Sequence, residues 1–129
     1  MSAKLRLAAL ALAFTSVGIA GGAFLHAQTA TPPAFIVAEL QVTDPDTFKQ
    51  YATALPATLA PYKARMIARA APVSLDGPTP PAGVVAVFAF NSMDDIKAFW
   101  SSPAYQAIIP LRDKSSKSRI YAVQGLPPS

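Results

Sequence analysis

The chain has 129 residues, with 11 Lys+Arg, 7 Asp+Glu, one His and no Cys. Without thiols it has no disulfide and no cysteine ligand, and its one imidazole, His26, falls in the N-terminal segment. The rest of the chain therefore lacks the usual ligands of zinc, haem and iron–sulfur sites and the base of a Ser-His-Asp or Cys-His pair.

Lys4 and Arg6 precede an uncharged apolar run from Leu7 to Leu25, and small residues follow. This is the layout of a secretory signal over residues 1–30, with cleavage expected after Ala27 or Ala30. The expected product is one periplasmic or secreted domain, residues 31–129, of the usual single-domain size. The competing reading is an uncleaved membrane anchor. A span takes about 20 apolar residues, and Gly18, Gly21 and Gly22 weaken this run as a helix. Membrane contact is expected only if the segment is retained. Setting Lys4 and Arg6 aside leaves 9 basic against 7 acidic residues. So even a balance does not suggest the clustered basic face of a nucleic-acid binder. The acids show no calcium-loop spacing, and neither a cofactor nor a metal is expected.

Phe35 to Val42 reads as a strand, interrupted in its apolar character by Glu39 and Gln41. Asp44-Pro45 then opens a helix, Asp44 as N-cap and Pro45 at the first helical position. Phe48, Tyr51, Ala52, Leu55, Leu59 and Tyr62 recur at helical spacing, and Pro56 is expected to kink or split the helix near Ala52. Arg65 to Leu75 reads as a second strand. The Gly- and Pro-rich stretch from Asp76 to Gly83 is a loop. Val84 to Phe90 is the most apolar strand. Ser92-Met93-Asp94-Asp95 caps a helix through Trp100. Ser102-Pro103 restarts a short helix carrying Tyr105, Ile108 and Ile109, expected to end at Pro110. Leu111 to Lys117 reads as a basic loop, and Ser118 to Gln124 as the last strand.

The element order is βαββαβ, the split pattern of an α+β ferredoxin-like fold. The first and third strands are apolar at nearly every position, whereas the second and fourth carry Arg65, Arg69, Arg119 and Gln124. Central strands are apolar and edge strands charged, which predicts an antiparallel four-stranded sheet in the order 4-1-3-2. Two helices cover only one face. An apolar second face left open would be a large sticky patch, and a second copy of the sheet is the simplest cover. A homodimer is therefore expected.

Glu39 lies mid-strand on the face of Phe35 and Val37. A carboxylate there is costly to ionise unless paired, so its pKa is expected to rise and to suit acid/base work. The plainer reading is an ion pair with Arg65 or Arg119. Trp100 and Tyr105 flank the helix break and could wall a pocket or simply pack in the core. Tyr51 sits on the apolar face of the first helix. Arg112, Lys114, Ser115, Ser116, Lys117 and Arg119 form a basic, hydroxyl-rich segment. An Arg there could hold a carboxylate or phosphate, although such runs are more often solvated loops. Asp44 could act as a base at a cleft mouth, but the following Pro favours a cap.

Ala38-Glu39, Thr43-Asp44-Pro45, Tyr51, Arg65 with Arg69, and Phe90-Asn91-Ser92-Met93 lead to the run from Trp100 through Ser102-Pro103-Ala104-Tyr105-Gln106 to Pro110-Leu111-Arg112. Together, from about Pro33 to Gly125, they resemble the bacterial family called domain of unknown function 1330. Ala64 and Ala70-Ala71 replace usual glycines, and Pro78-Thr79-Pro80-Pro81 replaces a loop Trp. The resemblance implies a dimeric α/β barrel and brings no reaction with it. The wider superfamily includes cofactor-free monooxygenases, isomerases and haem-handling proteins, and the missing His argues against the last. The implied function is an exported homodimer binding a small organic molecule between helices and sheet, with room for cofactor-independent acid/base chemistry. Glu39, Tyr105 and Arg112 would be its polar contacts, Tyr51 and Trp100 its walls, and Arg65 a further contact. The alternative is a non-catalytic interaction or structural domain with a filled core and Glu39 paired to Arg.

Overall fold

The computed structural model describes residues 30–129. Apart from Ala30, the expected signal segment, with the cleavage point after Ala27, lies outside the described residues. Among those residues no helix is long and apolar enough to cross a membrane.

The elements follow in the order β1 (Ala34–Val42), α1 (Pro45–Leu59), a single 3-10 turn (Ala60–Tyr62), β2 (Arg65–Ala70), β3 (Val84–Phe90), α2 (Met93–Ser101), α3 (Pro103–Ser115) and β4 (Ser116–Gln124). The sheet order is β2-β3-β1-β4, the predicted order, with every pairing antiparallel. The helix caps follow from local chemistry. Asp44 accepts from the Thr47 N–H at 3.3 Å and from the Thr47 hydroxyl at 2.6 Å. Thr47 thereby holds the Asp44 carboxyl below its ordinary pKa, as a cap requires. Ser92 and Ser102 accept from the N–H groups of Asp95 and Tyr105.

Ile36, Ala38, Ala86, Phe88 and Phe90 face the helices and pack against Phe48, Tyr51, Leu55 and Leu59 of α1, Ile96 and Phe99 of α2, and Tyr105 of α3. Alternation sends Phe35, Val37, Glu39, Val85 and Val87 to the other face. There Val37 lies between Val87 and Tyr121, and Glu39 between Val85 and Arg119. No described helix covers this face, and Tyr121 and Val123 are exposed on it.

Several elements run differently from expectation. Helix α1 runs unbroken through Pro56, and α3 runs through Pro110 to Ser115. Each proline removes one N–H, leaving the Ala52 and Gln106 carbonyls without their helical donors. Ala52, Pro56, Gln106 and Pro110 are all exposed, so solvent can serve those carbonyls. Buried Thr58 and Leu59 beyond the first proline, and Arg112 and Ser115 beyond the second, anchor the continuing turns. The expected basic loop from Leu111 to Lys117 is thus the end of α3 and the start of β4. The fully buried Ser115 accepts from the N–H groups of Thr43 and Asp44 at 2.7 and 3.1 Å, tying the β1–α1 turn to the end of α3. Strand β2 ends at Ala70 rather than Leu75, because Pro72 cannot donate to a ladder.

Candidate functional site

Under α1 the helix layer and the sheet enclose a cavity of about 370 Å³, within the size range of small-molecule sites. Its lining is almost entirely apolar: Phe48, Leu55 and Leu59 from α1 face Ala38, Ala86 and Phe88 from the sheet. Two side chains interrupt that surface. Tyr51 brings a phenol from α1, and Arg69 brings a guanidinium from β2. Tyr51 also lines a much smaller inner cavity of about 20 Å³, shared with Trp100 and Tyr105.

Behind Tyr51 stands a buried polar chain. Arg112 is 7% exposed and donates from Nη1 to the Tyr105 hydroxyl at 2.8 Å. The Tyr105 and Tyr51 hydroxyls are 3.1 Å apart. Tyr105 and Arg112 lie seven residues apart, two turns of one helix, and so share a face. That face exists only because α3 continues through Pro110. Trp100 and Phe99 both pack against Tyr105, with ring centroids at 5.3 and 4.3 Å. The Trp100 ring also lies 5.6 Å from the Arg112 guanidinium carbon, within cation–π range. Asp113 accepts from Arg112 Nε and Nη2.

The polarity of this chain follows from its charged end. Arg112 can only donate, so it fixes the Tyr105 oxygen as an acceptor and makes the Tyr105 O–H the better donor. Either hydroxyl can donate across the Tyr105–Tyr51 contact; with Tyr105 donating, the Tyr51 O–H is free to turn to the cavity. Burial, reinforced by Tyr105, pushes the Tyr51 phenol well above its ordinary value of 10. Burial alone would lower the Arg112 pKa, but Tyr105, Tyr51 and Asp113 outweigh it and the net shift is upward. At neutral pH Arg112 is a cation and Tyr51 a neutral donor.

Glu39 is on the opposite side of the sheet. Arg119 donates to its carboxylate from Nε and Nη2, the closest contact being 2.7 Å, and the Tyr121 hydroxyl donates at 2.9 Å. The hydrogen bonds from Arg119 outweigh desolvation and hold Glu39 below its ordinary pKa. The expected rise is therefore corrected to a fall, and the plainer reading, an ion pair with Arg119, describes the residue. Arg65 is also away from the cavity: it pairs with Ala89 of β3, on the face of Val87 and Val85. Of the six residues singled out by sequence, Tyr51, Tyr105, Arg112 and Trp100 come together on the helix side. Glu39 and Arg65 do not join them.

The family model described as Domain of unknown function (DUF1330) matches residues 33–126. The chain belongs to DUF1330. No functionally curated protein matches it by sequence. In fold this DUF1330 protein is similar to a protein of unknown function from Rhodopseudomonas palustris (TM-score 0.61, 13% identity, 84% of this chain and 94% of that one). It is also similar to SnoaB, a cofactor-independent oxygenase from Streptomyces nogalater (TM-score 0.54, 12% identity, 76% and 97%). A third is a dimeric, ferredoxin-like protein of unknown function from Bacteroides fragilis (TM-score 0.51, 13% identity, 71% and 95%). At these identities the likeness is one of fold.

Sequence reasoning missed Arg69 and Met66 as lining residues of the DUF1330 cavity. On a regular strand Arg65 and Arg69 would share a face. The ladder shifts between Met66 and Ala68, and the sequence carries no mark of that irregularity.

Proposed function

We propose that this DUF1330 protein binds a small, largely apolar organic molecule in the cavity under α1, with Tyr51 donating a hydrogen bond to an oxygen of the ligand. The observation that carries this reading is the chain Arg112–Tyr105–Tyr51, which begins on a buried cation and ends on the cavity wall. Such a chain polarises a ligand carbonyl and stabilises negative charge developing on its oxygen. The lining supplies a donor, but no carboxylate or imidazole appears among its described residues. The geometry thus favours binding and polarisation of a ligand oxygen over proton abstraction by the protein. SnoaB, described as a cofactor-independent oxygenase, is an example of this fold carrying chemistry without a cofactor. A thermal-shift screen of the purified protein against small aromatic and carboxylate metabolites tests the proposal, since a ligand at 100 times its Kd stabilises by about 2.7 kcal/mol. Ligands that stabilise the native protein should stabilise Tyr51→Phe less. A native protein that no member of the screen stabilises contradicts the reading.

The same proposal includes assembly and export. Phe35, Val37, Val85 and Val87 make an apolar sheet face that no described element covers, and a second copy is its natural cover. The N-terminal pattern supports export with cleavage at Ala27 or Ala30. A mature chain beginning at Gln28 or Thr31 by mass would support cleavage, and an intact Met1 would contradict it. The alternative of a pure interaction domain draws on Glu39, which is paired to Arg119 rather than offered to a ligand. The cavity on the other side of the sheet weighs against it.

A further inference from the structure

The second polar residue of the cavity is Arg69. Strand β2 pairs with β3 as Arg65↔Ala89 and Met66↔Phe88, then as Ala68↔Val87 and Arg69↔Ala86, with Ile67 left over between the two registers. An extra residue in one strand reverses the alternation beyond it. Arg65 consequently stays on the open face, while Arg69 joins Met66 on the helix side, opposite the buried Ala86 and at the cavity wall. Arg69 is exposed, which puts it at the solvent-facing rim. The ion pairs among the described residues are Arg112–Asp113 and Arg119–Glu39, so Arg69 has no carboxylate partner there. Among the described residues no acidic side chain lines the cavity.

We infer that the cavity takes an amphipathic monocarboxylate, its apolar body under α1 and its carboxylate on the Arg69 guanidinium at the rim. This rests on the cavity being a ligand site. An apolar chamber closed by one planar cation fits one planar anion, because the guanidinium fork matches the two carboxylate oxygens. A phosphate dianion would normally collect a backbone cradle or a second cation, and neither lines this space. Where the ligand carries another oxygen, that oxygen meets Tyr51.

The test is calorimetric titration of the purified protein with 4-phenylbutanoate and with 4-phenylbutanamide, which has nearly the same shape and no charge. The native protein should bind the acid about fivefold more tightly than the amide, the scale of a partly solvated ion pair. Added salt should narrow the gap. Arg69→Gln should erase the preference, the affinity for the acid falling to about that for the amide. Arg65→Gln, the same change of charge on the other side of the sheet, should keep it. Equal binding of acid and amide, a preference that survives Arg69→Gln, or an equal loss in Arg65→Gln would overturn the inference while leaving the cavity a binding site. Binding of neither probe would overturn the cavity reading and the inference with it.

Discussion

Replacing Tyr105 with Phe keeps the ring packed against Phe99 and Trp100 and removes one buried oxygen. That oxygen accepts from Arg112 at 2.8 Å and lies 3.1 Å from the Tyr51 hydroxyl. A hydrogen bond to a charged group contributes about 1.5–3 kcal/mol and a neutral one about 1 kcal/mol. Two features moderate the loss: Tyr51 still faces the cavity, and Arg112 keeps its bonds to Asp113. We therefore expect Tyr105→Phe to destabilise by about 2–3 kcal/mol, because Nη1 of a buried cation is left without an acceptor. For a domain of this size that lowers Tm by about 10–20 °C. Tyr51→Phe removes only the outer member of the chain and should cost about 0.5–1 kcal/mol. Urea unfolding followed by circular dichroism, at fixed protein concentration, reads both values. Arg112→Met combined with Tyr105→Phe removes donor and acceptor together, and should be less destabilised than the sum of the single changes. A Tyr105→Phe protein within about 0.5 kcal/mol of native, or strict additivity in the double variant, would refute the coupled chain.

The pair on the open face makes a pH prediction. Glu39 is held below its ordinary value of 4.5, so its contribution is present above that value and is lost as pH falls through the lowered folded-state pKa. Native protein should lose more stability than Glu39→Gln between about pH 6 and pH 3, and parallel unfolding curves across that range would contradict the pairing. Gly83 has φ +88°, and a Cβ there would overlap the Leu40 carbonyl oxygen. Gly83→Ala should therefore cost more than Gly77→Ala, where φ is +83° but nothing lies within 4 Å of the added carbon. Equal melting points for the two variants would show that the close approach to β1 is not felt. Val87→Lys places a charge in the middle of the open face and should shift sedimenting dimer to single subunits, with little change in the helix-side cavity. A native protein that sediments as a stable single subunit at high concentration would contradict pairing through this face.

The sheet could be read from residue type because its central strands differ from its edges. Strands β1 and β3 are apolar nearly throughout, β2 and β4 carry arginines, and the order followed. Asp44, Ser92 and Ser102 announced their helices through cap chemistry that depends only on neighbours in sequence. The prolines misled for a tertiary reason. Pro56 and Pro110 each cost a backbone hydrogen bond, but both sit on exposed flanks, and burial of the residues beyond them decides that the helices continue. The length of α3 then decides the site, since without the turn beyond Pro110 Arg112 would not lie on the face of Tyr105. Glu39 was placed correctly beside Phe35 and Val37. That face, however, is turned away from the helices, so the residue leaves the pocket it was expected to serve. The irregularity at Ile67 is a register event between two strands, visible only once β3 is in place, and it brings Arg69 to the cavity while Arg65 stays on the open face.

The central claim is that the space under α1, ending on Tyr51, receives a small molecule. The most direct measurement is a methyl-resolved NMR titration of the purified protein with 4-phenylbutanoate. The account predicts shifts of the Leu55, Leu59 and Met66 methyls, with those of Val85, Val87 and Val123 unmoved. Shifts confined to the three valines, or no shifts at all, would contradict it.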